Sequence, residues 1–362
     1  HWERQVTADL DADGVDDLVV RDVTSSALAS RVSVWSAAGG QPAKLGSFEM
    51  PVGVEAARAW SLPPIGPSQS RIAVERNDGY LVLLDSKLQP ANAQSALLPG
   101  IRTGGYFASG GWREHQRGPV VGSLDGGAVQ SIVAVDSRRA LVGLDAAQAS
   151  LASPPKVIWQ RTHAHAPAIV PALDGTKSGI ACLAQQEPVT STPQNLAVAL
   201  RADGSTLWSK PLPRTPLNDI LPATLDGDAV TDLIVQHGGP SDTLLRTRAL
   251  SGAAGSTLWD AQPIDTGCAR HATGFALADW NGDGRTDVVF QALATRVLSG
   301  IDGTQLLQGG STSCYHLPTL VDFDGDNLDE VVLQGSYAHA QAWSHDLASK
   351  LWGTETDDRP YP

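Results

Sequence analysis

The feature that most constrains this chain is an acidic stretch that recurs along it. The segment DLDADGVDDLVV from Asp9 returns as TLDGDAVTDLIV from Thr224, as DWNGDGRTDVVF from Asp279 and as DFDGDNLDEVVL from Asp322. Weaker copies start near 63, 123 and 172, so the chain divides into seven units of 43 to 60 residues. Repetition at such a period indicates stacked supersecondary units and not a set of unrelated domains.

Each unit predicts four short β-strands. An apolar run enters the acidic loop, a β-rich run leaves it, and two further runs follow. Because a lone four-stranded sheet cannot bury both of its faces, such units must stack around an axis. The sequence therefore predicts an all-β, seven-bladed β-propeller of four-stranded antiparallel blades, in one domain over residues 1–362. The blades are expected to start near residues 1, 52, 112, 162, 215, 269 and 314, with the ring closed by side-chain packing between the first and last.

The acidic loops predict calcium sites. Oxygen ligands at loop positions 1, 3, 5 and 9, with a carbonyl at position 7, can surround a hard cation. The first, sixth and seventh loops match this pattern in full, and the fifth is weaker because Thr224 takes its first position. The expected ligands are Asp9, Asp11, Asp13, the Val15 carbonyl and Asp17; Asp279, Asn281, Asp283, the Arg285 carbonyl and Asp287; Asp322, Asp324, Asp326, the Leu328 carbonyl and Glu330; and, in the fifth loop, Asp226, Asp228 and Asp232.

The alternative is that these glycine-rich turns are ordinary solvated hairpin loops. Three matches in register, each followed by a strand-forming run, favour calcium. The β-branched flanks and the lack of a glutamate at position 12 exclude a helix–loop–helix calcium site. Since loops of this kind fill at millimolar calcium, we expect an extracellular, cell-surface or periplasmic protein.

The loops and the strands after them resemble FG-GAP and VCBS repeats, the calcium-loop blades of integrin α-subunit heads and of many secreted bacterial and fungal proteins. The Leu-Trp strand endings are similar to those of quinoprotein-type, PQQ-like propellers; they are Trp208, Trp259 and Trp352, with Trp159 and Leu307 as variants. The resemblance implies a seven-bladed propeller with calcium between the first and second strands of a blade. It implies no single activity, because adhesins, lectins, lyases and assembly modules share this fold.

A second group of polar residues falls at the opposite ends of the predicted strands. Histidines precede innermost strands and glutamines follow second strands, and two aromatic residues nearby suit stacking on a sugar ring. The predicted ligand-binding set is His115, His163, His165, His271, His316, Trp112, Tyr315, Gln236, Gln291 and Gln334. The alternative is a polar, water-filled funnel, because the spacing of these residues matches no metal signature.

Three cysteines cannot supply a disulfide framework. Cys182 lies in the apolar run GIACLA and is predicted to be a small buried apolar residue. Cys268 and Cys314 lie at the start of adjacent predicted inner strands. A bridge between these two residues and a pair of free thiols are equally consistent with the sequence.

Charge and motifs narrow the functional classes. The chain has 26 Lys and Arg against 39 Asp and Glu, a net charge of −13 without a basic cluster, which disfavours nucleic-acid binding. No apolar run reaches the roughly 18 residues of a membrane helix. The start at His1, without methionine, is expected of a processed protein or of part of a longer chain or assembly.

Common catalytic and nucleotide-binding motifs are missing from the sequence, including the G-x-S-x-G elbow, the P-loop and H-E-x-x-H. We therefore expect a non-enzymatic binding or adhesion module, lectin-like in character, for a glycan or protein partner. One alternative is a carbohydrate-active enzyme resembling a polysaccharide lyase, with its site at the mouth of the channel. Another is a structural subunit of an extracellular assembly.

Overall fold

The arrangement of the chain was obtained as a computed structural model. It describes residues 6–8, 10, 17–23, 30–36, 43–51, 56–65, 70–76, 81–85, 87–89, 120–124, 131–135, 140–145, 156–175, 177–185, 194–213, 217–238, 244–265, 275–292, 294–309, 318–321, 328–334 and 340–353. Regular structure in these residues consists of strands β1 to β28, with no helix among them. The all-β prediction is confirmed, and in these same ranges no helix is long and apolar enough to cross a membrane.

The first three sheets cover the N-terminal part of the chain, and all their strand pairs are antiparallel. Sheet 1 contains β1 (Val6–Ala8), β2 (Asp17–Val23), β3 (Ser30–Ser36) and β4 (Ala43–Glu49). Sheet 2 contains β5 (Ala56–Ile65), β6 (Ser70–Arg76) and β7 (Leu81–Leu84). Sheet 3 contains β8 (Val120–Gly122), β9 (Ser131–Val135), β10 (Leu141–Asp145) and β11 (Lys156–Arg161). The fourth strand expected in sheet 2 falls in residues 90–119, outside the described ranges.

Four further sheets follow in chain order. Sheet 4 contains β12 (Ala164–Asp174), β13 (Lys177–Gln185), β14 (Asn195–Leu200) and β15 (Thr206–Leu212). Sheet 5 contains β16 (Leu217–Ala223), β17 (Asp232–His237), β18 (Leu244–Leu250) and β19 (Thr257–Asp260), with the short β20 (Ile264–Asp265) also paired to β18. Sheet 6 contains β21 (Phe275–Ala278), β22 (Asp287–Gln291), β23 (Thr295–Leu298) and β24 (Gln305–Gly309). Sheet 7 contains β25 (Thr319–Val321), β26 (Glu330–Gln334), β27 (Ala340–Trp343) and β28 (Lys350–Gly353).

In five of the six consecutive pairs of sheets, the first strands contact each other. Strand β1 contacts β5, β5 contacts β8, β8 contacts β12, β12 contacts β16, and β21 contacts β25. The first strands therefore lie side by side, as expected when sheets are arranged around an axis. Strand one ends and strand two begins at the same end of each sheet, as strand three ends and strand four begins where both are described; we call this the acidic end. The hairpin between strands two and three lies at the other, the hairpin end.

The hydrophobic core is divided into layers between neighbouring sheets. The layer between sheets 5 and 6, for example, joins Ile234 and Ala249 of sheet 5 to Val288 and Phe290 of sheet 6. Because side chains alternate along a strand, Val289 points the other way and packs with Val331 of sheet 7. Cys182 is fully buried in the layer between sheets 3 and 4, where burial raises the pKa of its thiol to about 12. Its predicted role as a small buried apolar residue is confirmed.

In three of these layers a tryptophan of the outermost strand packs against the next sheet and donates a hydrogen bond to it. We call this contact a tryptophan lock. Trp259 of β19 pairs with Ala249, and its indole Nε1–H donates to the carbonyl of Gly300 in sheet 6 at 2.8 Å. The ring lies against Gly303, whose φ is +73° and where a Cβ atom would come within 2.6 Å of the indole. The same arrangement recurs between sheets 3 and 4, where Trp159 pairs with Gly143, lies against Gly204 and donates to the Ala202 carbonyl. It recurs again between sheets 4 and 5, where Trp208 pairs with Ala199, lies against Gly255 and donates to the Gly252 carbonyl.

Two other layers use leucine where the first three use glycine. Leu347 of sheet 7 has a φ of 57°, is 3% exposed, and packs with Leu307, which stands at the tryptophan position of β24 opposite Val297. Between sheets 1 and 2 the corresponding residues are Val34, Gly46 and Leu88, with Leu88 at φ 58°. A leucine in the following sheet thus supplies the apolar volume where the preceding sheet has no tryptophan. Because the tryptophan layers and the leucine layers differ, each sheet fits its own neighbour, which favours one order of sheets.

Candidate functional site

The fifth acidic loop brings three carboxylates together. Asp226, Asp228 and Asp232 each offer one oxygen, and these oxygens lie within 4.8 Å of one another. Asp226 and Asp228 are exposed, whereas Asp232 is buried at the start of β17. Backbone N–H groups shape the loop, since Asp228 N donates to Asp226 Oδ1 at 2.9 Å and Val230 N donates to Asp228 Oδ1 at 2.8 Å. Within the described ranges this is the one group of three metal-ligating side chains that meets this distance.

Asp232 also ties the loop to the rest of its own sheet. Its Oδ2 accepts from the N–H groups of Leu225 and Asp226 at 3.3 and 3.2 Å, and its Oδ1 accepts from Gly252 N at 3.0 Å. The carbonyl of Gly252 in turn accepts from the indole of Trp208 in sheet 4. Burial, opposed by the Gly252 hydrogen bond, raises the pKa of Asp232. A cation that neutralises this carboxylate would stabilise the loop and the contact with sheet 4 together.

The sixth loop repeats this arrangement. Asp287 Oδ2 accepts from Trp280 N at 3.0 Å and its Oδ1 accepts from Gly300 N at 2.7 Å, while Gly300 also receives the indole of Trp259. Burial raises the pKa of Asp287, and the charge of Asp283 adds to the rise. Asp279 and Asn281 accept from backbone N–H groups of the same loop, so their oxygens are turned towards the loop backbone. The sequence predicted this loop to be a full site and the fifth a weaker one, whereas in the structure the carboxylates of the fifth lie closer together.

The fifth and sixth loops contact each other directly. Thr286 N donates to the carbonyl of Thr224 at 2.9 Å, and Thr224 N donates to Thr286 Oγ1 at 3.0 Å. The guanidinium of Arg285 lies against Gly227, so a positive charge from the sixth loop reaches the acidic turn of the fifth. Sequence reasoning considered only the carbonyl of Arg285 and missed this role, because the loop pattern carries no information about a neighbouring sheet.

The first loop contributes one described carboxylate, Asp17, and it is fully buried. Its Oδ2 accepts from Leu10 N at 2.9 Å, as in the fifth and sixth loops. Its Oδ1 is also buried and has no hydrogen-bond partner in the part of the chain that the structure describes. In the fifth and sixth loops the equivalent oxygen accepts from Gly252 N and Gly300 N, and the residues of sheet 1 that correspond to these glycines lie in 37–42, outside the described ranges.

The structure describes only two of the other predicted ligands of the first and seventh loops. In the seventh loop Glu330 is buried at the start of β26 and Leu328 is exposed. The remaining ones lie outside the described residues: Asp9, Asp11, Asp13, Val15, Asp322, Asp324 and Asp326. Calcium in these loops therefore stays a prediction.

Some of the predicted ligand residues lie at the hairpin end and are among the described residues. His163 is exposed in the turn between β11 and β12, with a φ of 51°, and its carbonyl accepts from Gln185 N at 3.0 Å. Gln236 is the next-to-last residue of β17 and Gln291 ends β22, and both are fully buried, so neither forms an exposed rim. His165 lies in β12 and Gln334 ends β26. The residues outside the described ranges are His115, His271, His316, Trp112, Tyr315, Cys268 and Cys314, so neither the ligand set nor the disulfide is tested.

Several buried polar residues at the hairpin end of sheets 5 and 6 were missed by sequence reasoning. Asp219, His237, Thr247 and Thr295 are 7%, 1%, 3% and 0% exposed. Asp219 and Thr247 both pair across the sheet with Gln236, and Thr295 pairs with Gln291. Strand alternation places Asp219 and Thr247 on the face of Gln236 and His237 on the opposite face, but nothing in the sequence marks these residues as buried.

A pH-dependent stability follows from the raised pKa of Asp287. A raised carboxyl pKa in the folded state contributes stability that is fully present below the unfolded value of about 3.9 and lost as pH rises through the folded value. In chelator, the melting temperature of wild type relative to that of Asp287→Asn should therefore fall as pH is raised from about 4 to about 7. Scanning calorimetry of the two proteins in parallel removes the pH dependence they share. A difference that stays constant across this range would show that Asp287 is not the titrating group.

Comparison with known proteins supports the fold. No family model matches the chain, and no curated protein matches it. Among solved structures, Sqt1 of Saccharomyces cerevisiae has 8% identity and a TM-score of 0.58 over 96% of this chain and 84% of its own, and a europium-containing methanol dehydrogenase has 9% identity and 0.53 over 94% and 76%. The rhamnogalacturonan lyase YesW has 15% identity and a TM-score of 0.47 over 96% of this chain and 67% of its own.

The chain thus spans about two-thirds of that lyase. The solved structures it resembles include β-propeller proteins, and at these identities the likeness concerns the fold alone. The propeller-like arrangement is therefore supported, whereas membership of the FG-GAP or VCBS group is not established.

Proposed function

We propose that this chain is a secreted or cell-surface β-propeller, stabilised by calcium at its acidic end, that binds a glycan or protein partner with its hairpin end. The observation that carries the proposal is the separation of two polar ends in the same sheets. Buried carboxylates are tied into the loops at one end, and the exposed His163 lies at the other. Binding residues concentrate on loops held by a rigid scaffold, and packed sheets provide one.

Calcium is proposed first for the fifth loop. Asp226, Asp228 and Asp232 would hold it, and the hard oxygen donors of three carboxylates suit this ion. When bound, the ion would supply positive charge that offsets the repulsion between Asp226 and Asp232. The sites proposed in the first, sixth and seventh loops rest on their sequence pattern.

The proposal includes a closed ring of seven blades. Seven sheets pack in order, and Trp352 of β28 pairs with Ala342, the same register as Trp259 with Ala249. A tryptophan in that register is followed, at the other layers, by a glycine in the turn of the next sheet. Gly39 and Gly40 follow β3 in the sequence, as expected if sheet 7 closes the ring. An open arrangement would leave the outer faces of sheets 1 and 7 without a partner.

The two ends can be tested separately. Asp283→Ala should lower the melting temperature and leave glycan or protein binding intact, because the sixth acidic loop is a strand length, roughly 20 Å, from the hairpin end. His163→Ala and His271→Ala should weaken binding with little change in melting temperature, since His163 is exposed. The assay is a glycan array followed by titration of the best ligand, with circular dichroism on each variant.

Loss of binding in a fully folded Asp283→Ala protein would place recognition at the acidic end instead. Incubation with uronic-acid polysaccharides, monitored for unsaturated products by absorbance, tests the lyase alternative on the same preparations. Product formation would replace the binding-module proposal by an enzymatic one.

A further inference from the structure

Sheets 5 and 6 carry the same buried polar pair at their hairpin ends. In sheet 6, Gln291 of β22 lies directly opposite Thr295 of β23. In sheet 5, Gln236 of β17 lies opposite Thr247 of β18. The four side chains are between 0% and 3% exposed. One glutamine–threonine pair is therefore built into each of two successive sheets, at the same position of the repeat.

Each pair faces the following sheet. Val289 and Val297 precede the Gln291–Thr295 pair on the same face, and both pack against Val331 of sheet 7. Side chains two residues apart on a strand share a face, so Gln291 and Thr295 extend this row into the layer between sheets 6 and 7. By the same reasoning, Gln236 and Thr247 continue the row of Ile234 and Ala249 into the layer between sheets 5 and 6.

The amides in these pairs lack protein partners. Both Nε2 and Oε1 of Gln291, both atoms of Gln236, and Oγ1 of Thr295 are buried without a hydrogen bond to any group in the part of the chain that the structure describes. An unsatisfied buried polar group destabilises the folded state, and native proteins almost always satisfy such groups. Three such atoms at one cross-strand pair indicate a ligand.

We infer that Gln291 and Thr295 bind a buried water molecule in the layer between sheets 6 and 7, and that Gln236 binds a second one in the preceding layer. The unpaired atoms include a donor, the amide N–H group, as well as acceptors. A metal cation could satisfy only the oxygens, whereas water both donates and accepts. Buried waters typically make about three hydrogen bonds, and Gln291 with Thr295 offers three atoms at one place. The inference depends on neither calcium nor a partner.

Replacement by apolar residues of similar shape tests the inference in the full chain. Removing an amide that is unpaired should stabilise the protein, whereas removing one that is bridged by water should destabilise it. We therefore expect Gln291→Met and Thr295→Val each to lower the melting temperature by about 2 to 4 °C. If the two side chains share one water, the double variant should lose less than the sum of the single losses. Gln308→Met, on the exposed face of β24, is the control and should leave the melting temperature unchanged.

A rise in melting temperature on Gln291→Met would overturn the inference. Additive losses in the double variant would also overturn a shared water. If Gln291→Met does not fold, a high-resolution crystal structure of the wild-type chain decides the matter. A solvent peak within about 3.2 Å of both the Gln291 amide and Thr295 Oγ1 is expected, and clear density without such a peak would refute the site.

Discussion

Removal of calcium should lower the melting temperature of this protein by about 4 to 10 °C. At millimolar calcium and a dissociation constant near 10⁻⁴ M, each filled loop contributes roughly 1 to 2 kcal/mol, and three or four loops are proposed. The loss should extend beyond the loops themselves, because Asp232 and Asp287 are hydrogen-bonded to Gly252 and Gly300. The carbonyl groups of these two glycines accept hydrogen bonds from the indoles of Trp208 and Trp259 in the preceding sheets.

The measurement is calorimetry in calcium, in chelator, and after calcium or magnesium is added back. Calcium should restore the melting temperature and magnesium should not, because a flexible, many-oxygen loop suits the larger ion. Asp226→Asn with Asp228→Asn should reduce the calcium effect by the share of the fifth loop and leave the remainder. Asp203, a hydrogen-bonded aspartate in the turn between β14 and β15, provides the matched control, since Asp203→Asn should keep the full response. An equal melting temperature with and without chelator would contradict the proposal.

Disruption of a tryptophan lock should have a comparable effect. Trp259→Ala removes a buried aromatic ring and its hydrogen bond to Gly300, and should cost about 3 to 5 kcal/mol. Gly303→Leu should cost a similar amount, because the new side chain meets the indole and the backbone has a φ of +73°. Gly175→Leu separates the two causes, since Gly175 has a φ of +68° but no atom within 4 Å of a Cβ. It should cost only about 1 to 2 kcal/mol.

The leucine layers suggest a set of three substitutions that would replace the tryptophan lock between sheets 5 and 6 by leucine packing. Ala249→Val, Trp259→Leu and Gly303→Leu together would copy the trio Val297, Leu307 and Leu347 of the next layer. The triple variant should be more stable than the sum of the three single losses predicts, by about 1 to 3 kcal/mol. Urea unfolding of the single and triple variants gives this coupling free energy. Strict additivity would mean that the three positions do not form a unit.

Much of the fold could be predicted from the repeat. The acidic stretches and the Leu-Trp endings predicted repeated units of short strands, and the described residues form a series of antiparallel sheets, because each unit carries strand patterns bounded by turns. The sequence did not reveal that Leu88 and Leu347 stand in for the glycines of the other layers. Both residues have a left-handed backbone conformation, which sequence-based reasoning expects only of glycine or asparagine.

The candidate site was less predictable, because its geometry depends on neighbouring sheets. The loop pattern favoured the sixth loop over the fifth, yet the fifth has the closer carboxylates and Arg285 of the sixth lies over its turn. The position of Gln291 after a second strand correctly indicated the end of the sheet. It could not indicate burial, because burial is set by sheet 7 and not by the strand itself.

The most direct test of the calcium proposal is a crystal structure of the chain grown in millimolar calcium, with anomalous diffraction to identify the ion. We predict an anomalous peak in the fifth loop, with carboxylate oxygens of Asp226, Asp228 and Asp232 about 2.3 to 2.6 Å away. Well-ordered density for these carboxylates with no anomalous peak, and with the Arg285 guanidinium as their counter-charge, would contradict it.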